Sequence, residues 1–510
     1  MAAGRRLAPR EVAELLFALD PDRDERASQL CAETLLTLAQ NKYQAPQGGA
    51  EIKSPKRQRF AVRSLALGVN FLGGQNGRAG DAETTPELYG KRLAAGEEVR
   101  GSANLGLARA ALEGLVDPDT QRGQPGAWLL RPFHESLLWY DARKASPRRT
   151  DYTVRKVYMR GSGITLARLL ADPADPADAA LGRRAVDAIA SALASPSPLS
   201  EISERLESAL PADKPFTTPP AVEDDEKQAW ARGRDPRLSG LASRLCRHAE
   251  GVMLQGGASG PARLWQLRSV LALDLAAHAL QTAWEATDTP AADRYLLLSF
   301  AGAGRAEDPV RQRSEDSYQL ARRRLADATV RTLAGRMQDL AAQKVVDWAS
   351  EFEPRSGLGD AGPDSVATQL AALPHGSPPE AYLRLARAAA ESANYSRAED
   401  GFRVLLESAG LLAGTRYRFL TASPDLMAAL VGALSAEMPM SSSEFFAAVR
   451  REWGFVVNQE AAAATSLAGQ LDGAALERNA RRGERLMGDA GLALGLSDRT
   501  TVVGERAARR

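Results

Sequence analysis

Apolar positions along the chain recur mostly at helical spacing. Val12, Leu15, Leu16 and Leu19 follow Pro9, and Leu30, Leu35 and Leu38 resume the pattern after an Asp20-Pro21-Asp22 break. Residues 8–44 therefore predict two helices, since intervals of three and four fall on one face of a helix and proline suits its first turn. From Arg263 the run ARLWQLRSVLALDLAAHALQTAWEA is apolar on nearly all sides through Leu264, Leu267, Val270, Leu271, Leu275 and Leu280, as a buried helix should be. RYLLLSFAG follows, the most continuous apolar run in the chain, and residues 295–300 read as a strand covered on both faces. After the polar loop AGRAEDPVRQRS, residues 318–352 are helical again. Residues 381–393 and 395–406 predict a helical pair with no second copy at a fixed period, so no repeat array is expected.

Strand character is local. Residues 61–72 carry it and close in GGQNGRAG, and in TDYTVRKVYMRGSGITLARLL a strand over 152–159 leads through a Gly-Ser-Gly turn into a helix over 164–170. Pro424 opens a helix to 434. In MPMSSSEFFAAVRREWGFVVN a capping box pairs Ser441 with Glu444, and a short strand is predicted over 454–457. Helix, helix and strand at this spacing resemble the tail of a winged-helix module. Residues 471–510 add Arg478, Arg481, Arg482, Arg485, Arg506, Arg509 and Arg510 and are expected to fray at the end. The fold class expected is mainly α-helical α+β, multidomain, with small sheets and a C-terminal winged-helix-like module.

Proline- and acid-rich stretches (ADPADPADAA, ASPSPLS, LPADKPFTTPPAVEDDE) mark a linker. The expected domains are a helical pair over 1–50, an α+β region over 51–211, a linker over 212–236, a central helix–strand–helix domain over 237–375 and a helical domain over 376–510. A chain of 510 residues exceeds one ordinary core, which agrees with several domains.

Hydrophobic content of 44% and charged content of 25% are those of a soluble globular protein. Cys31 and Cys246 are the only cysteines, too few for a disulfide framework or a cysteine zinc site and suited to a reducing cytoplasm. No run reaches the roughly 18 apolar residues of a membrane span, and the N-terminus shows no signal-peptide pattern, so a cytoplasmic protein with no membrane partner is expected.

The net charge of +1 conceals an asymmetry. Residues 51–160 hold 19 Lys/Arg against 12 Asp/Glu, and residues 161–226 hold 5 against 12. Basic residues interleaved with Trp128, Phe133, Trp139, Tyr140, Tyr152 and Tyr158 suit nucleic acid, because cations neutralise phosphates and rings stack on unpaired bases. The candidate contacts are Lys53, Lys56, Arg57, Arg59, Arg63, Arg148, Arg149, Arg155 and Lys156, joined by Arg450 and Arg451 if the winged-helix-like segment meets a DNA groove. A solvated face over an aromatic core, or one that meets the acidic segment, accounts for the same composition.

Two places suit a smaller anion. Arg160, Gly161, Ser162 and Gly163 would leave backbone N–H groups open at a helix start. Ser314 would cap the helix that follows the apolar strand, with Arg311 and Arg313 beside it. Salt bridges to Glu307, Asp308, Glu315 or Asp316 explain those arginines equally well. His278 stands alone on an apolar helix, which is the setting of a hydrogen-bonded core histidine. No P-loop, GxSxG or HExxH pattern occurs, so neither cofactor nor metal is expected.

Two stretches carry a family resemblance: LWQLRSVLALDLAAHAL with RYLLLSFAGAG and DPVRQRSEDSYQLARRRL, and SPDLMAALVGAL with MSSSEFFAAVRREWGFVV. They resemble large uncharacterised proteins encoded beside ATPases, methyltransferases and nucleases in bacterial anti-phage defence islands, of which the methylation-associated defence systems are an example. The resemblance implies a non-enzymatic accessory or sensor subunit that acts with other defence-system proteins on DNA, and it carries over no catalytic residue. The alternatives are a protein–protein scaffold indifferent to DNA, and an enzyme that uses Arg311, Arg313 and Ser314 on a phosphorylated ligand.

Overall fold

The computed structural model describes residues 7–20, 25–46, 51–53, 134–135, 138, 142–144, 152–154, 161–196, 224–302, 307–343, 347–352, 365–392, 395, 397–414, 417–435, 438–497 and 500–504. Helix takes up 69% of the described residues, so the core is made by packing helix faces. In chain order come α1 (Pro9–Phe17), α2 (Ala27–Gln40), β1 (Ala142–Lys144), β2 (Tyr152–Val154), α3 (Ser162–Ala171), α4 (Pro176–Ala194), α5 (Asp224–Arg232), α6 (Ser239–Leu254) and α7 (Gly260–Ala286). Then follow β3 (Leu296–Leu297), α8 (Pro309–Ala342), α9 (Trp348–Glu351), α10 (Val366–Ala371), α11 (Pro379–Ser392), α12 (Arg397–Ala409), β4 (Leu412–Ala413) and β5 (Phe419–Leu420). The last elements are α13 (Pro424–Ser435), β6 (Met440–Ser441), α14 (Ser442–Trp453), β7 (Phe455–Val456), α15 (Gln459–Ala463), α16 (Gly473–Asp489), β8 (Ala493–Ser497) and β9 (Thr500–Val503). No described helix is long and apolar enough to cross a membrane.

The chain divides into two compact units that cut across the expected domain segments. One contains residues 1–25, 235–244 and 272–510, the other residues 26–234 and 245–271.

In the second unit α3 packs on α2, α4 and α5. Asp175 caps α4 by accepting from the Ala177 amide, and Pro176 fills its first position. Gly182 allows α4 to cross α3 closely. A Cβ there would lie 2.2 Å from the Leu170 carbonyl oxygen and 3.2 Å from the buried Cys246 sulfur.

In the first unit the 34-residue α8 is the main packing partner and contacts α1, α11 and α12. Val330, Leu333, Met337 and Leu340 join Trp348, Phe352, Tyr382, Ala386 and Tyr395 in one apolar cluster. The Tyr395 hydroxyl donates to the Leu7 carbonyl and ties the start of the described chain to that cluster. Asp308 caps α8, accepting from the Val310 and Arg311 amides. The helix therefore starts before Ser314, which lies in its second turn and is not the cap expected from the sequence.

The centre of this unit is the apolar run around β3. Leu296, Leu297 and Leu298 are fully buried, in line with a covered strand, but the ladder is two residues long. It pairs in parallel with β7, Leu296 opposite Phe455 and Leu297 opposite Val456. Side chains and a neighbouring strand take over where the ladder ends. The Leu297 amide donates to the Ser317 hydroxyl, the Ser299 amide to the Leu420 carbonyl, and the Phe300 amide to the Asn479 side chain. Buried backbone groups need such partners, so three elements converge on this segment.

The strand expected at 454–457 is thus β7, part of the central pair. The C-terminal helices α14 and α16 instead contact a three-stranded antiparallel sheet of order β6-β9-β8. Met440 and Ala493 both lie opposite Val503, and Ser441 and Leu494 opposite Val502. α13 packs on α14 and α16, while α14 and α16 each contact the sheet.

Candidate functional site

The charged feature that the structure assembles most clearly is a face of α16. Its sequence, GAALERNARRGERLMGD, buries Ala475, Leu476, Asn479, Ala480, Gly483 and Met487 and leaves Arg478, Arg481 and Arg485 exposed beside Glu477, which pairs with Arg481 at 3.4 Å. At about 100° per residue, Arg478, Arg481, Arg482 and Arg485 fall within about 100° of arc. Asp472 caps the helix through the Ala474 amide.

Two buried contacts fix which way that face points. The Asn479 side chain accepts from the Phe300 amide at 2.8 Å and donates to the Leu298 and Val457 carbonyls at 2.8 and 3.0 Å. Gly483 lies on the Phe300 ring, where a Cβ would approach to 2.9 Å. With its inner face held in this way, α16 must turn its arginines outward.

Arg482 links this helix to the first turn of α8, donating to the capping Asp308 at 2.7 Å. Burial raises the Asp308 carboxyl, but the Arg482 bond and the Arg311 and Val310 amides outweigh it and hold the group below its ordinary value. Arg311 lies over the Phe419 ring, 4.4 Å from its centroid. Arg313 pairs with Asp316 at 3.2 Å. The Ser314 hydroxyl is fully buried, accepting from the Leu420 amide at 2.8 Å and donating to its carbonyl at 3.1 Å. It secures β5 to α8. A hydroxyl engaged at both ends is not poised for a ligand, so the expected Arg311–Arg313–Ser314 anion site is corrected: the arginines flank the helix start, and the serine is structural.

The amides of the Gly-Ser-Gly turn are already taken, by a carboxyl group that the chain itself supplies. Glu33 on α2 accepts from the Gly161 amide at 3.1 and 3.2 Å and from the Gly163 amide at 2.8 Å. Gly161 takes a φ of +96°, which glycine adopts without strain, and a Cβ on Gly163 would lie 2.6 Å from the Glu33 Cβ. Burial raises the Glu33 carboxyl to about 7, helped by the charge of Glu226 and opposed by the glycine amides. Ser162 is buried as well. The turn expected to offer its amides to an external anion has those of Gly161 and Gly163 bonded to Glu33, while Arg160 lies outside the described residues.

The remaining candidates do not converge. Lys53 is exposed, and its backbone is bonded to Asn41. Lys56, Arg57, Arg59, Arg63, Arg148, Arg149, Arg155 and Lys156 lie outside the described residues. Arg450 donates to the Ala464 carbonyl, and Arg451 pairs with Glu452. The exposed face of α14 carries Ser443, Glu444 and Ala447 beside Arg451, so it offers no basic stripe. His278 is buried, its Nε2–H donating to the Phe17 carbonyl at 2.9 Å, and burial lowers its imidazole to about 4. That is a core histidine. Among the described residues no group of three or more His, Cys, Asp or Glu side chains could hold a metal.

The α16 stripe was available to sequence reading. Arginines at i, i+3 and i+7 opposite an apolar face signal an amphipathic helix with a cationic side. No family model matches the chain, and neither a curated protein nor a solved structure matches it.

Proposed function

We propose that the chain is a non-enzymatic, nucleic-acid-associated subunit and that residues 424–503 form a winged-helix-like module whose α16 faces the phosphate backbone. The observation that carries this reading is the arginine stripe on α16, the third long helix of an array that, with β7 and the short α15 between α14 and α16 set aside, runs helix–strand–helix–helix–strand–strand with its last strand central in the sheet. That order is the one a winged helix has. In it the third helix, not the second, presents to the duplex, which moves the contact from Arg450 and Arg451 to Arg478, Arg481 and Arg485. Guanidinium groups spaced along one face neutralise phosphates and release their counterions. The defence-island resemblance supplies the setting, in which the subunit acts beside partner proteins.

Fluorescence anisotropy with a labelled DNA duplex across a salt series tests the proposal. Binding is expected to weaken steeply as salt rises, with a log–log slope of about −3 for three phosphates. Replacing Arg478, Arg481 and Arg485 together with alanine should lower affinity at least tenfold at low salt and flatten that slope. Absence of binding to duplex and single-stranded DNA at low salt overturns the proposal and favours a scaffold that co-purifies with proteins alone.

A further inference from the structure

One exposed helix face of the same unit is hollow. α11 packs on α8 and α10, and Tyr382, Ala386 and Ala389 are buried there in the apolar cluster around Trp348 and Phe352. The opposite side of the helix carries Glu380, Arg384, Arg387, Ala388 and Glu391, all exposed. Among the described residues no hydrogen bond or ion pair engages Arg384, Arg387 or Glu391, although Arg387 and Glu391 are four residues apart and could have paired with each other. A hollow of about 220 Å³ lies on this side, lined by Leu383, Arg384, Arg387, Ala388 and Glu391. Four of those five stand at i, i+3, i+4 and i+7, the four positions that form the hole for a side chain from a facing helix. The hollow follows directly from the sequence LRLARAAAE, in which long side chains surround the methyl group of Ala388.

The charges decide which helix fits. A cation at 384 is followed two turns later by an anion at 391, with Arg387 and Ala388 midway between them. Rotating a second copy of α11 about a two-fold axis between Arg387 and Ala388 brings Arg384 of each copy to Glu391 of the other. The same rotation lays the Arg387 stem of each copy across Ala388 of the other. A pattern that complements itself when reversed is what an isologous two-fold contact requires. Arginine suits the hollow, because its methylene stem covers apolar surface while the guanidinium stays at the wet edge.

We infer that α11 is a homodimer contact: two copies of the chain pair through antiparallel α11 helices, with Arg387 of each copy seated in the hollow over Ala388 of the other and Arg384 bridged to Glu391 across the axis. One helix pair is a small contact, below the roughly 800 Å² per partner of a standard interface, so the association is weak and depends on concentration. Its ion pairs lie at the rim, which makes it sensitive to salt. The inference is independent of the nucleic-acid reading of α16.

Sedimentation velocity of the full chain at low salt, over a concentration series reaching about 0.2 mM, tests this inference. The unmodified chain is expected to pass from monomer to dimer within the series. Arg384→Glu and Glu391→Arg should each raise the dissociation constant about tenfold or more, because each sets like charges opposite one another. The double variant reverses both partners of the pair and should return the constant to within about threefold of the unmodified chain. Ala388→Leu, which fills the hollow, should weaken the dimer about tenfold as well. All three positions are exposed, so the variants keep the buried face of α11. A chain that stays monomeric throughout the series overturns the inference. So does a dimer that tolerates either single reversal, is not restored by the double one, or is unmoved by Ala388→Leu.

Discussion

In each unit a buried polar side chain joins elements far apart in sequence, Glu33 in one and Asn479 in the other, and the two differ in chemistry. Glu33 holds the Gly161–Gly163 turn by accepting two amides, and Asn479 holds the β3 segment by accepting one amide and donating to two carbonyls. An amide carries both donor and acceptor, stays neutral, and joins the segment equally well at any pH. A carboxylate can only accept while ionised, and burial penalises its charge. One joint is therefore indifferent to pH, and the other is coupled to it.

The largest effect is expected at the neutral joint. Asn479→Ala would strand the Phe300 amide and two carbonyls in a dry interior, at about 1–3 kcal/mol for each unsatisfied group and so about 4 kcal/mol after partial relaxation. Hydrogen exchange should show the loss at residues 296–300 and in α16, and it should be the same at pH 5 and pH 8. A pH-dependent loss would contradict the comparison.

The next effect concerns the sign of the pH response. Glu33 is raised to about 7 in the fold from an ordinary 4.5, so its contribution to stability is full below about 4.5 and is lost as pH rises through 7. His278, in the other unit, is lowered to about 4 from 6.5, so its contribution is present above 6.5 and is lost as pH falls through 4. Each shift corresponds to about 3 kcal/mol. Hydrogen exchange between pH 4.5 and 7.5, corrected for the intrinsic rate, should therefore show α2 and α3 loosening with rising pH and the segment around Phe17 and His278 tightening. Glu33→Gln should flatten the first trend and His278→Gln the second. Parallel trends in both units would break the contrast.

A smaller change sharpens it. Gly163→Ala places a Cβ 2.6 Å from the Glu33 Cβ and 2.8 Å from the Leu30 carbonyl oxygen, which should cost about 2 kcal/mol as α2 is pushed aside. Urea denaturation of the full chain should show the loss. A neutral result would mean that α2 yields freely and that Glu33 does not fix the turn.

Elements governed by near neighbours were legible in the sequence. The helices at Pro9, Arg263, Pro379 and Pro424 follow apolar spacing, and the Ser441–Glu444 capping box forms as written, with the Glu444 amide bonded to Ser441 and the Ser441 amide to Glu444. The start of α8 was equally local. Asp308-Pro309 is a cap followed by a first-turn proline, a signal carried by two adjacent residues. His278 in the core also follows from the apolar helix around it.

What sequence alone determined is the set of helices, their buried faces and the spacing of charge along them, because each depends on residues within a few positions of one another. Which groups meet across the chain was decided only by tertiary structure. Nothing near Gly161 announces Glu33, nothing near Leu296 announces Phe455, and nothing near Asn479 announces Leu298. Those partners are chosen by the need to satisfy buried backbone groups with whatever side chain or strand packing brings within reach. The same need turns α16 with its arginines outward, so that Arg478, Arg481 and Arg485 share an exposed face of an ordered helix.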